Sequence, residues 1–331
     1  HEVHIITARQ KGRKECFRLS DRIVRHDLDA NDRMFLHKYR RRLGALLGTI
    51  RPDITVTVCD NSLYALTGCD DGSVKVGEFH FSHEKFMMKY GTGALGRAYA
   101  AFRTRRLERA VRKLDRFVVL TKADKEDWEK VRPDVEQIYN PLTFVSDEVS
   151  PLTGKRCVAV GRLEEQKNFK DLIKAWKTVD GRHPDWTLSI FGKGSQENEL
   201  QNLIKDSGLA GKVILEGGTS DIRKELLDSS CLVMSSRYEG FPMVLLEALT
   251  TGLPIVSYDC PKGPSEIVTI GANGYLTKVG DTGTLAQGIC SVIANEDLRR
   301  RFGAESKRRS ENFTLEKTME RWDRLFSSLT T

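Results

Sequence analysis

The 331-residue chain has no apolar run approaching the ~18 residues that a membrane-spanning helix needs, so no segment reads as a bilayer span. Its seven cysteines (Cys16, Cys59, Cys69, Cys157, Cys231, Cys260 and Cys290) show no Cys-x-x-Cys spacing, and their odd number closes no disulfide framework. Buried thiols in a reducing cytoplasm are expected instead. Short-period repeats and low-complexity segments are missing too, which excludes solenoids and disordered tails. The opening His1-Glu2-Val3-His4 has neither an initiator Met nor the basic-then-apolar layout of a secretory leader. The chain is therefore expected to start after processing or partway into a gene product.

What is present suits a globular protein. Apolar residues make up 39% and charged residues 30%, and the length accommodates two ordinary domains. Charge is unevenly spread: residues 1–140 hold 28 Lys/Arg against 20 Asp/Glu, whereas residues 141–331 hold 25 against 26. One basic half implies an anionic partner, and on charge alone nucleic acid, lipid and phosphate-bearing substrates all qualify.

Short β-branched runs at 3–7, 54–58, 117–120, 157–160, 188–191, 213–215, 231–234 and 255–257 alternate with helical patterns such as 168–178 and 196–205. This rhythm predicts an α/β fold of doubly wound parallel sheets. The segment 139–155, with two prolines and Ser/Thr/Asp turn chemistry, reads as a boundary. Two such domains would face a ligand cleft at the carboxyl ends of their strands.

Two stretches carry chemistry. In RYEGFPMVLLEALTTGLPIVS, Glu239 precedes a Gly240-Phe241-Pro242 turn, and Glu247 falls inside an apolar helix. Pro242 suits a helix entry, Gly240 permits close backbone approach, and the amides from Met243 to Leu245, Val244 among them, form an anion site. A carboxylate accepts paired hydrogen bonds and so matches vicinal hydroxyls of a sugar or ribose. Helix capping by Glu239 with an exposed Glu247 is the plainer alternative, and spacing alone does not separate the two. In VAVGRLEEQKNFKDLIKAW, Arg162 and Lys167 lie five apart at a strand's carboxyl end, where they are placed to clamp a diphosphate.

Taken together, GRLEEQKNF, SSRYEGFPMVLLEALTTGLPIVSYDCPKGPSEIV and NGYLTKVGD resemble the retaining GT-B glycosyltransferases called glycosyl transferases group 1. The match is dense from residue 156 to 329 and looser before it, where HEVHIIT, GEFHFSHEKF and LDRFVVLTKADKEDW carry it. The resemblance implies two Rossmann-like domains facing a central cleft. The acceptor-side domain would span residues 1–143, the linker 144–155 and the nucleotide-sugar domain 156–314. A C-terminal helix, 315–331, would pack back toward the first domain. It also implies that the family's first strand-loop-helix unit, inside the first sheet, is missing ahead of His1, leaving the 3–7 strand poorly flanked.

Residue by residue, the resemblance assigns Arg162 and Lys167 to the donor diphosphate and Glu247 to the ribose. Glu239, with the amides of Gly240 and Phe241, is assigned to the sugar, and the amides of Met243 and Val244 to phosphate. Gly218 and Thr219 are assigned to the base, and His80, with His83 as a rival, to the far side of the transferred sugar. Glu266 is expected to fix a turn or helix start. The implied activity is transfer of a hexose or N-acetylhexosamine from a nucleotide-sugar, by family habit UDP-linked, to a glycan or lipid-linked acceptor with retention. Neither cofactor nor metal is needed, because Arg162 and Lys167 supply the positive charge. A sugar-nucleotide epimerase and a non-catalytic nucleotide-sugar-binding subunit are the competing readings; nucleic-acid binding would leave Glu239 and Glu247 idle.

The basic half has a focus. From Arg97 to Lys113 a helical pattern carries seven cations and one Glu, with Leu107, Ala110, Val111 and Leu114 on its core side. It reads either as a solvated face or as a docking surface for anionic lipid, placing the protein in the cytoplasm or at the membrane's inner face.

Overall fold

The computed structural model describes residues 2–10, 19–30, 35–59 and 61–329. The N-terminal lobe runs β1 (His4–Thr7), β2 (Val24–Asp27), α1 (Phe35–Ile50), β3 (Ile54–Val58), α2 (Asn61–Leu66) and β4 (Val74–Phe79). It continues through α3 (Lys85–Tyr90), α4 (Gly93–Val111), β5 (Arg116–Val119), α5 (Lys122–Glu129) and β6 (Val135–Gln137). The C-terminal lobe begins with β7 (Arg156–Val160), α6 (Phe169–Arg182), β8 (Thr187–Phe191), α7 (Glu197–Asp206), β9 (Val213–Gly217) and α8 (Ile222–Leu227). It goes on through β10 (Cys231–Met234), α9 (Met243–Thr250), β11 (Ile255–Tyr258), α10 (Pro264–Ile267) and β12 (Gly274–Thr277). The last helices are α11 (Thr282–Ala294), α12 (Glu296–Ser310) and, after a 3-10 turn, α13 (Leu315–Ser327).

Every strand pairing is parallel. The C-terminal sheet has the order β12-β11-β10-β7-β8-β9, so the strand order reverses between β7 and β10. In open parallel sheets that reversal leaves a crevice at the carboxyl ends, because the two following connections diverge to opposite sides. The N-terminal lobe holds two separate sheets, β1-β2 and β3-β4-β5-β6. Among the described residues β1 pairs only with β2, and on β3 both Val56 and Val58 are exposed.

Local sequence explains the elements that matter. Helix α6 buries Phe169, Leu172, Ile173, Trp176 and Val179 at helical spacing and packs on the sheet and α11. Helix α9 is apolar on nearly all sides, burying Val244, Leu245, Leu246, Ala248 and Leu249 between α12 and the sheet, so Glu247 is its one charged group. The predicted core side of α4 is buried at Leu107, Ala110 and Val111. Cys59, Cys157, Cys231, Cys260 and Cys290 are buried free thiols and Cys69 is half-buried; Cys16 lies outside the described residues. Among the described residues no helix is long and apolar enough to cross a membrane.

The lobes are tied at the hinge. Helix α13 crosses to the N-terminal lobe, where Leu325 packs with Val76, Val118 and Ile138. Arg321 Nη1 donates to the Gln137 carbonyl at 2.8 Å, and the Thr318 hydroxyl to the Tyr139 carbonyl at 3.3 Å. Met319 on the same helix is 43% exposed, outside the docked face. Leu325→Ala should remove the anchor and lower stability by about 2–5 kcal/mol. A shift in urea unfolding, with faster amide exchange confined to α13 and the β4–β6 strands, checks it.

Candidate active site

The loops leaving β7 and β10, on either side of the strand-order reversal, hold the predicted cation and carboxylate. At the end of β7 the Gly161 amide donates to Phe191 O at 2.9 Å, extending the sheet by one residue. A Cβ at Gly161 would meet the Lys167 stem at 3.0 Å, so the lysine lies across this bare backbone. Asn168 then adopts a left-handed conformation (φ 52°), with its side-chain amide on Asp171 at 2.7 Å, and turns the chain into α6. Lys167 Nζ donates to Glu239 Oε1 at 2.7 Å, and both side chains are largely buried. Three more bonds stitch the loops: Arg237 N to Gln166 O (2.8 Å), Gln166 Nε2 to Tyr238 O (2.9 Å) and Ser235 Oγ to Lys167 O (2.9 Å). Arg162 is exposed at the rim, its guanidinium donating to Gln166 Oε1 at 3.3 Å.

The two glutamates hold different partners. Glu239 pairs with Lys167, whereas Glu247 Oε1 accepts the Thr143 hydroxyl at 2.8 Å. Burial pushes the Glu247 carboxyl above its ordinary range, against the opposing effect of that hydrogen bond. Helix α9 starts at Met243 with no side-chain cap at Pro242, so no side chain occupies the amide donors of Met243 and Val244 by capping. Phe241 was expected through its amide; its ring is spent on the hinge, stacked on Tyr139 (5.3 Å between centroids) and tilted to Phe313 (6.0 Å). A Cβ at Gly218 would meet the Lys193 stem at 3.4 Å, and the Thr219 hydroxyl accepts the Asp221 amide at 3.1 Å as the chain enters α8.

From the other lobe, the segment after β4 meets the Glu239 loop. A Cβ at Gly240 would sit 2.1 Å from the His80 carbonyl oxygen, so only glycine allows this approach. His80 Nε2 lies 3.0 Å from Glu78 Oε1 without hydrogen-bond alignment, and is a buried nitrogen lacking a hydrogen-bond partner. The rival His83 is already engaged: its Nε2 is 3.1 Å from Glu108 Oε1 and its ring stands edge-on to Trp128 at 4.8 Å. Glu266 does more than start a helix. It takes the Tyr139 hydroxyl (2.7 Å) on one oxygen and the Ala123 amide (3.3 Å) on the other, bridging the lobes.

Several contributors carry no sequence signal of their own. Thr143, Gln166 and Lys193 reach the site through contacts between residues distant in the chain, and only the GKG context of Lys193, after β8, hints at it. One carboxylate pair was passed over: Asp27-Leu28-Asp29 is an Asp-x-Asp tripeptide at the end of β2. Its Asp27 carboxylate accepts the Gln10 amide (2.8 Å) and the Asp29 amide (3.1 Å), which makes it a turn-former. Among the described residues no cluster of three or more His, Cys, Asp or Glu side chains has metal-binding geometry.

Comparison with known proteins agrees with this architecture. The family model described as "Glycosyl transferases group 1" matches residues 144–309. The chain belongs to this family. An uncharacterized glycosyltransferase of Haemophilus influenzae is 33% identical over 64% of the chain and 61% of its own length. The poly(ribitol-phosphate) alpha-N-acetylglucosaminyltransferase of Staphylococcus aureus is 29% identical over 65% of the chain and 44% of its own length. The chain thus matches less than two thirds of either relative. S. aureus TarM, solved with fondaparinux, alpha-GlcNAc-glycerol and UDP, superposes with a TM-score of 0.75 over 87% of the chain and 59% of TarM, at 23% identity. The fold is GT-B, two Rossmann-like lobes about a cleft.

The lobe contact makes a pH prediction. Asp124, at the start of α5, is 1% exposed; it accepts the His83 amide and the Thr121 hydroxyl, each at 3.2 Å. Burial pushes its carboxyl up to about 6, with the His83 bond and Lys262 pulling the other way. A carboxyl raised above its unfolded value costs stability once ionised. The cost is absent below about pH 4, grows as pH rises toward 6, and levels off above, reaching on the order of 3 kcal/mol. Asp124→Asn should flatten this fall, and the difference between the two unfolding curves from pH 4 to 7 measures it.

Proposed function

We propose that the protein transfers a hexose or N-acetylhexosamine from a nucleotide-sugar, UDP-linked, to a glycan or lipid-linked acceptor with retention of configuration and without a metal. The observation that carries this reading is the Lys167–Glu239 pair, held at 2.7 Å at the strand-order reversal, directly behind the Gly240–His80 contact between lobes. Breaking the bond between C1 and the donor phosphate leaves negative charge on the diphosphate and cationic character on the sugar ring. Lys167 and the rim guanidinium of Arg162 meet the first, with the amides of Met243 and Val244 adding to the phosphate cradle. Glu239 accepts hydroxyls of the donor sugar, Glu247 those of the ribose, and Gly218 and Thr219 border the base. His80, its Nε2 set 3.0 Å from Glu78 Oε1, stands on the far side of the transferred sugar. The acceptor hydroxyl attacks C1 on the face the phosphate leaves, its proton passing to a departing phosphate oxygen as the new C1–O bond forms.

Thermal shift with UDP-, GDP- and ADP-sugars tests the donor, since a ligand that binds only the folded state raises its stability. UDP-sugars should shift the midpoint most. Nucleotide release should require an acceptor, and Lys167→Ala and Glu239→Gln should each cut it about 100-fold or more. Turnover unchanged in both variants would end the assignment.

The acceptor side of this reading includes a membrane surface. On α4, Leu95 is 88% exposed, and Tyr99 and Phe102 follow on the same side, at the positions one and two turns on. Exposed Arg105, Arg106 and Arg109 continue that side, an apolar tip followed by cations. Such a face suits a headgroup layer of anionic lipid, each cation contributing ~1 kcal/mol. Sedimentation with phosphatidylglycerol vesicles should capture the protein, phosphatidylcholine vesicles should not, and Arg105→Glu with Arg109→Glu should abolish capture. Equal binding to both vesicles would remove this part.

A further inference from the structure

Directly after β11 the chain passes through Asp259-Cys260-Pro261-Lys262-Gly263, a loop no motif reading assigned to the chemistry. Its backbone is wound tightly. Lys262 adopts φ 70°, a left-handed conformation that non-glycine residues occupy only when their surroundings hold them there. Gly263 follows at φ 111°, and a Cβ there would meet Pro242 Cδ at 2.5 Å, so the loop is wedged beneath the Phe241-Pro242 turn. The Glu239 amide points at the Pro261 carbonyl at 3.5 Å.

The Lys262 ammonium is held from across the cleft. Its side chain is 10% exposed. Nζ donates to Asp127 Oδ2 at 2.5 Å and to the Ala123 carbonyl at 2.8 Å, and lies 3.9 Å from Asp124 Oδ1; all three belong to α5 of the N-terminal lobe. Asp124 in turn accepts the amide of His83, and His83 ends the segment whose His80 carbonyl is packed on Gly240. The contacts close a ring: Glu239 loop, Pro261-Lys262, α5, His83 back to His80, and across to Gly240 beside Glu239. The backbone of the loop rests on its own lobe, through Gly263 against Pro242 and Pro261 against Glu239, whereas the Lys262 ammonium has its partners on α5.

We propose that Lys262 is a positioning residue for transfer: its ammonium, seated on Asp127 and Ala123 of the opposite lobe, holds the Glu239 loop in its working place only while the lobes are closed. The inference rests on the transferase reading of the Lys167–Glu239 site. Lys262 touches no reacting atom in it; it couples closure to the position of Glu239.

Lys262→Met should lower kcat tenfold or more, while UDP affinity and donor KM change less than twofold, because the donor residues stay on their own lobe. Asp127→Asn, on the far lobe and away from the donor, should reproduce most of that loss. The double variant should be no worse than Lys262→Met alone, since both remove one interaction. Lys262→Gly, which relieves the left-handed backbone, should lose as much as Lys262→Met and so assign the effect to the ammonium. Unchanged kcat, UDP affinity lost in step with kcat, or losses that multiply in the double variant would each overturn the proposal. Amide exchange gives a readout independent of turnover: Lys262→Met should speed exchange at residues 80–84 and 239–243 together. If the unmodified protein neither binds UDP nor turns over while this coupled exchange is seen, the transferase reading has failed and the clamp has not. If UDP turnover is present and the exchange of the two segments is unmoved, the clamp has failed and the transferase reading has not.

Discussion

The organisation of the C-terminal lobe follows from one ion pair, Lys167 with Glu239, set between two loops that leave the sheet where its strand order reverses. Such a pair is a poor way to gain stability. Both groups are largely buried, and desolvating a cation and a carboxylate offsets most of their mutual attraction. Its value lies in placement. The bare backbone of Gly161 gives the lysine stem its track, the left-handed Asn168 ends the loop, and three hydrogen bonds between the loops leave the pair one arrangement. On the proposed reading, a diphosphate entering the crevice would meet an ammonium whose orientation is already set, and preorganisation of that kind is usually the largest catalytic contribution.

The second constraint is that this placement is shared between lobes. The hinge is built from rings rather than from a flexible tether: Tyr139, Phe241 and Phe313 pack within 6.0 Å of one another, Glu266 bridges Tyr139 to α5, and α13 returns to the first lobe. Phe241 is thus the immediate neighbour of the Gly240 contact and a hinge residue at once. Movement of the lobes has to pass through the turn that carries Glu239, which is why a glycine with no room for a Cβ sits at that point.

How much of this the sequence disclosed depends on whether a residue acts through its neighbours in the chain or across it. The βα rhythm, the α9 boundaries and the core side of α4 were legible because hydrophobic periodicity is local. Strand β4 was not, since Lys75, Gly77 and Glu78 break its apolar run, yet Val76 and Phe79 are fully buried. Strand β12 has four residues and was absorbed into a motif. The Lys167–Glu239 constellation was legible only because each partner lies at a fixed offset from a strand end. Thr143 on Glu247, Lys262 on α5 and the His80 carbonyl on Gly240 join positions 104 to 160 residues apart with no shared pattern, so only coordinates bring them together. The Asp27-Leu28-Asp29 tripeptide shows the converse error, a motif present in the sequence whose carboxylate is committed to backbone amides.

This difference between local and long-range assembly also separates the lobes chemically. On the proposed reading, the diphosphate is the part that all nucleoside diphosphate sugars share, so one arrangement of cation, carboxylate and helix amides would meet it, and short motifs encode that arrangement. The segment after β4, the start of α5 and the outer side of α4 belong to one lobe but to no common motif. The excess positive charge of residues 1–140 lies on that same lobe, whereas the Lys167–Glu239 geometry lies in the neutral half. The contact of His80 with Gly240 is where the two halves are forced into register.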